Sequence, residues 1–464
     1  MLPLECYAER RSALTSAVQG PILLLGNGIR CRNLPMSPLP FRQDSTFLYL
    51  TGCALPGAAA ILDEDGFTLF VPPHADDDAL WHGPVTPMRE VGEHYGASRA
   101  RSRTELEACL AGRDWKTLAV PDEGQNAWVN AQLDLNLKFG QRHGSDELVN
   151  AIIDLRTHKS TVEINELKRA ASASEAAHRA VIAASHPGGH EHGLASLFQA
   201  VLAMNDCVLG YGTILTQRGE VLHNFKHTST LESGRLLLCD GGGEVRSGYG
   251  VDITRTWPVS GQFSAQQRDA YEAVLASQEA AIQLCTPGRS FQDVHLEAAR
   301  VLAQFLIDEQ LLMGTVEEVV ERGAHALFFP HGIGHHLGMD VHDLENFGDR
   351  PSYAPGASRS SQFGLSYLRL NLPLEPGWVV TVEPGFYVIP AVLEDPALRD
   401  RLGDLVNWER LDRWSGFGGI RIEDDVLITA QNPEVLTAGV PKSVDDIEAL
   451  VGTQASPESY LCGR

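Results

Sequence analysis

The chain has 464 residues, and its 60 Asp and Glu against 37 Lys and Arg give a formal net charge of −23. Phosphate backbones are bound through surplus Lys and Arg, so this balance excludes nucleic acid as the main partner. At 43% hydrophobic and 21% charged residues the composition is globular rather than disordered, and the length suggests two domains.

The eight cysteines, Cys6, Cys31, Cys53, Cys109, Cys207, Cys239, Cys285 and Cys462, are scattered without CxxC pairs. That spacing fits a reduced, cytoplasmic protein better than a disulfide scaffold or zinc finger. The N-terminal MLPLECYAERRSAL carries Glu and Arg where a secretory signal needs an apolar stretch. PILLLG falls far short of the roughly 20 apolar residues of a membrane span. A soluble protein with no membrane partner is expected.

In chain order, residues 20–72 alternate short apolar runs (PILLLG, STFLYLTG, AAAILDEDGFTLFV) with Gly, Pro and Asp turns. This is the pattern of a sheet with brief connections and predicts an N-terminal α/β domain. Residues 104–156 mix helix-like and strand-like pieces without a legible topology. Ser160 and Glu163 have capping-box spacing ahead of a long Ala-rich helix, and the domain boundary is placed before it, giving 1–158 and 159–464. Ser264 and Gln267 repeat that spacing before a helix that stops at Thr286-Pro287-Gly288, and Ser290 caps a further one. Strand-like runs at LLLCD, DITRTWPV, WVVTVE and IRIEDDVLI complete an α+β domain with mainly antiparallel pairing. The tail after about 435 shows no role.

One repeat stands out. L231-E-S-G-R-L-L-L-C-D240-G-G and L374-E-P-G-W-V-V-T-V-E383-P-G share a layout in which an apolar strand ends in a carboxylate. Each is followed by another acid-bearing strand, around Asp252 and around Glu423, so the domain reads as two related halves, each with a carboxylate pair. A lone acid at a strand end is ordinarily a turn residue. Here each acid adjoins an apolar run, and neighbouring carboxylates stay ionised cheaply only with a cation between them. Alternation puts Arg421 beside Glu423 on one face, either an exposed polar face or a group that steadies the carboxylates.

The histidines cluster in H331-G-I-G-H335-H336-L-G-M-D-V-H342. The intervening glycines argue for a loop, and the HExxH zinc helix is absent. Asp240, Asp252, Glu383 and Glu423 with one imidazole balance two divalent cations, and this oxygen-rich set suits Mn²⁺, Co²⁺ or Zn²⁺ in a catalytic pair. Such a pair activates water and polarises a carbonyl or phosphoryl oxygen. Residue chemistry alone therefore leads to a two-metal hydrolase.

LLLCDGGGEVRSGYGVDITRTWP, HGIGHHLGMDVHD, LEPGWVVTVEPGFY and GGIRIEDDVLI, in that order, resemble the signature of the proline-specific metallopeptidases with the pita-bread fold, aminopeptidase P and prolidase. FRQDSTFLYLTG resembles the N-terminal domain of aminopeptidase P. The resemblance implies two divalent ions, Mn²⁺ first and Co²⁺ or Zn²⁺ as alternatives, held by Asp240, Asp252, His335, Glu383 and Glu423. It implies that His223 is the substrate-side histidine upstream of the first Asp, that His331 and His342 line the substrate and help stabilise the tetrahedral intermediate, that Glu383 shuttles the proton, and that Tyr211 and Arg421 brace the metal acids. Cleavage between a first residue and proline, in a homodimer or homotetramer, follows from the same likeness.

Two departures bear on specificity. The connection from Asp240 to Asp252 is one residue longer than the family form, which predicts a bulge near Ser247. The stretch from Val388 to Glu423 is long and, like Arg369 in SYLRLNLPLEPG, is similar to prolidases, where that Arg holds a dipeptide's free carboxylate. Xaa-Pro aminopeptidase is the favoured activity and Xaa-Pro dipeptidase the alternative. A non-catalytic binding protein or a metal-free hydrolase of the creatinase kind would be expected to lose acids that are all kept here, and methionine aminopeptidase lacks the N-terminal domain.

Overall fold

A computed structural model of the protein describes residues 1–75 and 77–453; Cys462 lies outside the described residues. The chain divides into two compact units, Met1–Thr157 with Leu344–Pro351, and His158–Asp343 with the chain from Ser352 on. Among the described residues no helix is long and apolar enough to cross a membrane.

The first unit opens with α1 (Leu4–Ala17) and β1 (Ile22–Leu25), followed by α2 (Ser45–Thr51), β2 (Ala59–Asp63), β3 (Gly66–Val71), β4 (Arg99–Ser102), β5 (Lys116–Thr117) and α3 (Asp146–Thr157). The strands form a mixed sheet in the order β4-β3-β2-β1-β5, with β1–β2 and β2–β3 antiparallel and both outer pairs parallel. Leu23, Leu25, Ile61 and Phe70 pack with Leu106, Trp115 and Val129 in one core.

STFLYLT, expected as a strand, is the helix α2. The Asp44 carboxylate accepts from Phe47 N, and Gly52 closes the helix in the left-handed region at φ 66°. All seven residues are buried, so no polar face marked a helical period. Arg10 and Arg11 of α1 donate to the Tyr49 and Leu50 carbonyls near its C-terminus at 3.0 and 2.9 Å, satisfying groups a short helix leaves unpaired.

The second unit begins with α4 (Thr161–Ala184), whose capping box is present: Ser160 and Glu163 each bond the other's backbone N–H. It continues through α5 (Glu191–Met204), β6 (Cys207–Leu209), β7 (Ile214–Thr216), β8 (Leu236–Asp240), β9 (Gly243–Val245), β10 (Thr254–Pro258), α6 (Ala265–Gln283) and α7 (Phe291–Asp308). Then come β11 (Val379–Val382), β12 (Gly385–Tyr387), β13 (Gly419–Arg421), β14 (Asp424–Leu427) and β15 (Glu434–Val435). All its strand pairs are antiparallel: β7–β8–β10, β11–β14–β15, β12–β13 and β6–β9. Caps at Ser264 and Ser290 start α6 and α7 as expected.

The repeat is structural. Gly234 and Gly377 turn the chain into β8 and β11 at φ 82° and 91°, a conformation that favours glycine. β8 ends at Asp240 and β11 one residue before Glu383, and each pairs with a strand that follows the second acid of its half. The bulge expected near Ser247 is instead a hairpin loop: Val245 N bonds Tyr249 O at 3.0 Å, and Gly248 takes the left-handed position at φ 91°.

Candidate metal centre

Strand register brings the acids together. Asp240 pairs with Thr254 across β8 and β10, so Asp252, two residues earlier, lies beside Asp240. Val382 pairs with Asp424 across β11 and β14, which puts Glu383 and Glu423 next to each other. The halves are stitched where Glu423 N donates to Thr254 O at 3.0 Å. The glycine-rich loop runs along β11, with His335 N donating to Thr381 Oγ1 at 3.1 Å and Glu383 N to Ile333 O at 2.8 Å. A Cβ on Gly334 would fall 2.0 Å from the Thr381 carbonyl, so only glycine permits this approach.

The predicted ligands converge. Asp240, Asp252 and Glu423 form one group with donor atoms within 4.8 Å of one another, and His335, Glu383 and Glu423 form a second. His342 joins Asp252 and His335 in a third, its ring 4.3 Å from that of His335. His335 Nδ1 lies 2.9 Å from the His336 carbonyl, which holds a proton there and leaves Nε2 as a lone-pair donor facing Asp252 at 3.5 Å.

Charge is unbalanced without a cation. Burial first, then the charges of Asp252, Glu383 and Asp240, push Glu423 well above the usual carboxylate range. Burial also raises Asp240 to about 6 and Glu383 to about 7, against the opposing pull of Arg421. The Tyr211 hydroxyl meets Asp240 at 2.6 Å and also Asp252. Burial and those acids raise its own pKa, so it keeps its proton; one proton cannot serve two carboxylates. Four carboxylates and one imidazole lone pair therefore fit divalent cations in their midst.

Arg421 is buried, not part of an exposed polar face. It donates to Asp240 Oδ2 at 2.5 Å, Thr254 Oγ1 at 3.0 Å and Tyr387 Oη at 3.1 Å. Tyr387 Oη also meets His331 Nε2 at 2.9 Å, and Thr254 Oγ1 donates to Glu423 Oε2 at 2.7 Å. Thr254 and Tyr387 were missed in the sequence. Alternation from Asp252 puts Thr254 on the same face and could have found it; Tyr387 had only its place in EPGFY.

These groups open on a cavity of about 540 Å³ within the second unit. His223, His331, His342 and Arg369 line it together with Asp240, Asp252, His335, Glu383, Arg421 and Glu423. Its wall adds Phe363, Tyr367, Ile389, Val392 and Arg359, none of which carried a sequence signal. His336, adjacent to His335, is buried against Trp378, 4.7 Å between rings, and does not line the cavity.

Residues 165–430 match the model of metallopeptidase family M24, and residues 7–114 that of the aminopeptidase P N-terminal domain. A relative from Aspergillus fumigatus described as a probable Xaa-Pro aminopeptidase pepP is 34% identical, covering 90% of this chain and 89% of its own. The structure of Pseudomonas aeruginosa aminopeptidase PepP superposes with a TM-score of 0.80 at 30% identity, covering 99% of both chains. Zn-substituted Escherichia coli aminopeptidase P in complex with product gives 0.80 at 29% identity, over 98% of this chain and 99% of that one. The chain belongs to metallopeptidase family M24, in its aminopeptidase P form with the pita-bread catalytic fold.

Proposed function

We propose that the protein is an Xaa-Pro aminopeptidase, hydrolysing the bond between an N-terminal residue and a following proline. The convergence of four carboxylates and His335 in one cavity carries this reading. Asp240, Asp252, His335, Glu383 and Glu423 would hold two divalent ions, Mn²⁺ first and Co²⁺ or Zn²⁺ as alternatives. When bound, such ions supply Lewis acidity and an activated water.

The chain's own residues do the rest. Tyr211 and Arg421 orient Asp240, and Thr254 orients Glu423. Glu383, with His331 and His335 3.8 and 3.9 Å away, is placed to accept and return a proton. His223, His331 and His342 line the path of the scissile carbonyl. Proline suits this arrangement because its nitrogen carries no hydrogen and its ring fixes the backbone, so the site needs no hydrogen bond from that nitrogen.

A dipeptidase reading is favoured by one observation: Arg369 lines the same cavity and its charge acts on His223 and His331. Hydrolysis of Gly-Pro and of a longer X-Pro-Y peptide, with Mn²⁺ and with a chelator, separates the alternatives. Mn²⁺-dependent cleavage of the longer peptide is expected; cleavage of Gly-Pro alone makes the protein a dipeptidase, and cleavage of neither makes it a binding protein. A homodimer or homotetramer is proposed from the family likeness, and the scattered cysteines support a cytoplasmic setting.

A further inference from the structure

Behind the candidate ligands lies a second polar cluster, none of whose members lines the cavity. Asp424, fully buried, accepts four hydrogen bonds: from Arg255 Nη2 at 2.7 Å and Thr437 Oγ1 at 2.8 Å on one oxygen, and from Lys442 Nζ at 2.9 Å and Gln278 Nε2 at 3.0 Å on the other. Lys442 also donates to Gln278 Oε1 at 2.8 Å. Arg255, equally buried, donates to the Val440 and Pro441 carbonyls, both at 3.0 Å. Thr437, Val440, Pro441 and Lys442 all belong to the tail that had no legible role.

The cluster grips the backbone of three of the four acids. Arg255 Nη1 donates to the Glu423 carbonyl at 2.7 Å. Asp425, whose N–H is held by Thr437 Oγ1 at 3.0 Å, accepts from Asp252 N at 3.1 Å. Gln278 Nε2 reaches the carbonyl of Val382, the residue before Glu383, at 3.3 Å. A buried ion pair that hydrogen-bonds on every side adds little net stability compared with an apolar packing, so this one is better understood through the geometry it holds.

We propose that the segment Thr437–Lys442 is a positioning strap for the metal-binding acids: through Asp425 it holds the backbone of Asp252, and through Asp424, Arg255 and Gln278 that of Glu423 and of the peptide unit leading into Glu383, at the spacing two divalent ions require. The proposal rests on reading those acids as metal ligands. Lys442 is the end of the strap most open to change, since its side chain is 23% exposed. Groups that orient metal ligands typically change affinity by about 10- to 100-fold when removed.

The test is Mn²⁺ titration of apo wild type, Lys442→Met, Lys442→Arg and Thr437→Val, read as free Mn²⁺ by its electron paramagnetic resonance signal, with a thermal melt of each apo protein. Lys442→Met is expected to bind Mn²⁺ at least about tenfold more weakly, with Lys442→Arg recovering most of the loss and Thr437→Val falling between. Its KM for an X-Pro-Y peptide at saturating Mn²⁺ should match wild type. Unchanged Mn²⁺ affinity in both Lys442→Met and Thr437→Val overturns the strap. So does weakening that follows the apo melting temperature across the set without recovery in Lys442→Arg. If wild type itself binds no Mn²⁺, it is the metal-site reading that fails.

Discussion

Arg421 and Asp240 form a buried pair 2.5 Å apart that joins the two halves of the catalytic unit, the guanidinium on β13 and the carboxylate at the end of β8. The same guanidinium reaches Thr254 and Tyr387, so three hydroxyl or carboxylate partners depend on one planar fork. Lysine offers the charge without that fork. Arg421→Lys is expected to lower kcat at least about tenfold, as loss of charge-assisted hydrogen bonds worth about 1.5–3 kcal/mol would do. Steady-state kinetics that match wild type would remove its bracing role.

Arg369 tests peptide length. If it pairs with the carboxylate of a dipeptide, Arg369→Ala should raise KM for Gly-Pro while sparing a longer X-Pro-Y substrate. An equal effect on both substrates would mean that it holds the wall of the cavity and not a carboxylate.

Three histidines make stability fall in acid. His178, His295 and His325 are buried, and burial depresses them to about 3, 3 and 4. Their folded values lie below the unfolded value of about 6.5, so the folded state refuses protons the unfolded state takes up. Stability from this source is full above pH 6.5 and is lost as pH falls toward 4. At pH 5.5 each should cost on the order of 1 kcal/mol, and the three together a few kcal/mol. In the metal-free protein Asp240, Glu383 and Glu423, raised by burial, gain protons over the same range and offset this loss. It is therefore read by difference: between pH 7.5 and 5.5 the urea midpoint of His295→Gln should shift toward greater stability relative to wild type, and an equal pH response of the two proteins would contradict it.

The Ser160 cap is a local test. Its hydroxyl and the Glu163 carboxylate satisfy two backbone donors at the start of α4. Ser160→Ala should cost about 1 kcal/mol of unfolding free energy in denaturant, whereas Ser160→Thr, which keeps the hydroxyl that also donates to Glu163 at 2.8 Å, should retain most of it. Indistinguishable unfolding curves for all three proteins would show that the second unit does not depend on this end.

What was legible in the sequence shares a physical form. Asp240 and Glu383 end apolar strands at matched spacing from Leu-Glu-x-Gly, and Ser160, Ser264 and Ser290 mark helix starts through their own backbone bonds, so both signals are local. STFLYLT misled because complete burial erases periodicity. Residues 104–156 break into pieces as short as the two-residue strand Lys116–Thr117, too brief for any period to declare itself. Thr437 and Lys442 were silent because their partners, Asp424 and Gln278, are 13 to 164 residues distant along the chain.

One consequence lies in the path of the chain. Leu344–Pro351 belongs to the first unit although residues on both sides belong to the second, and it leaves two residues after His342. The covalent thread therefore passes between the units three times rather than once. A cut after Thr157 would strand an octapeptide of the amino-terminal body inside a catalytic fragment, beside a histidine that lines the cavity. Excising or swapping the front of this protein as a cassette is thus a two-segment operation, and loop grafting at 344–351 has to accompany it.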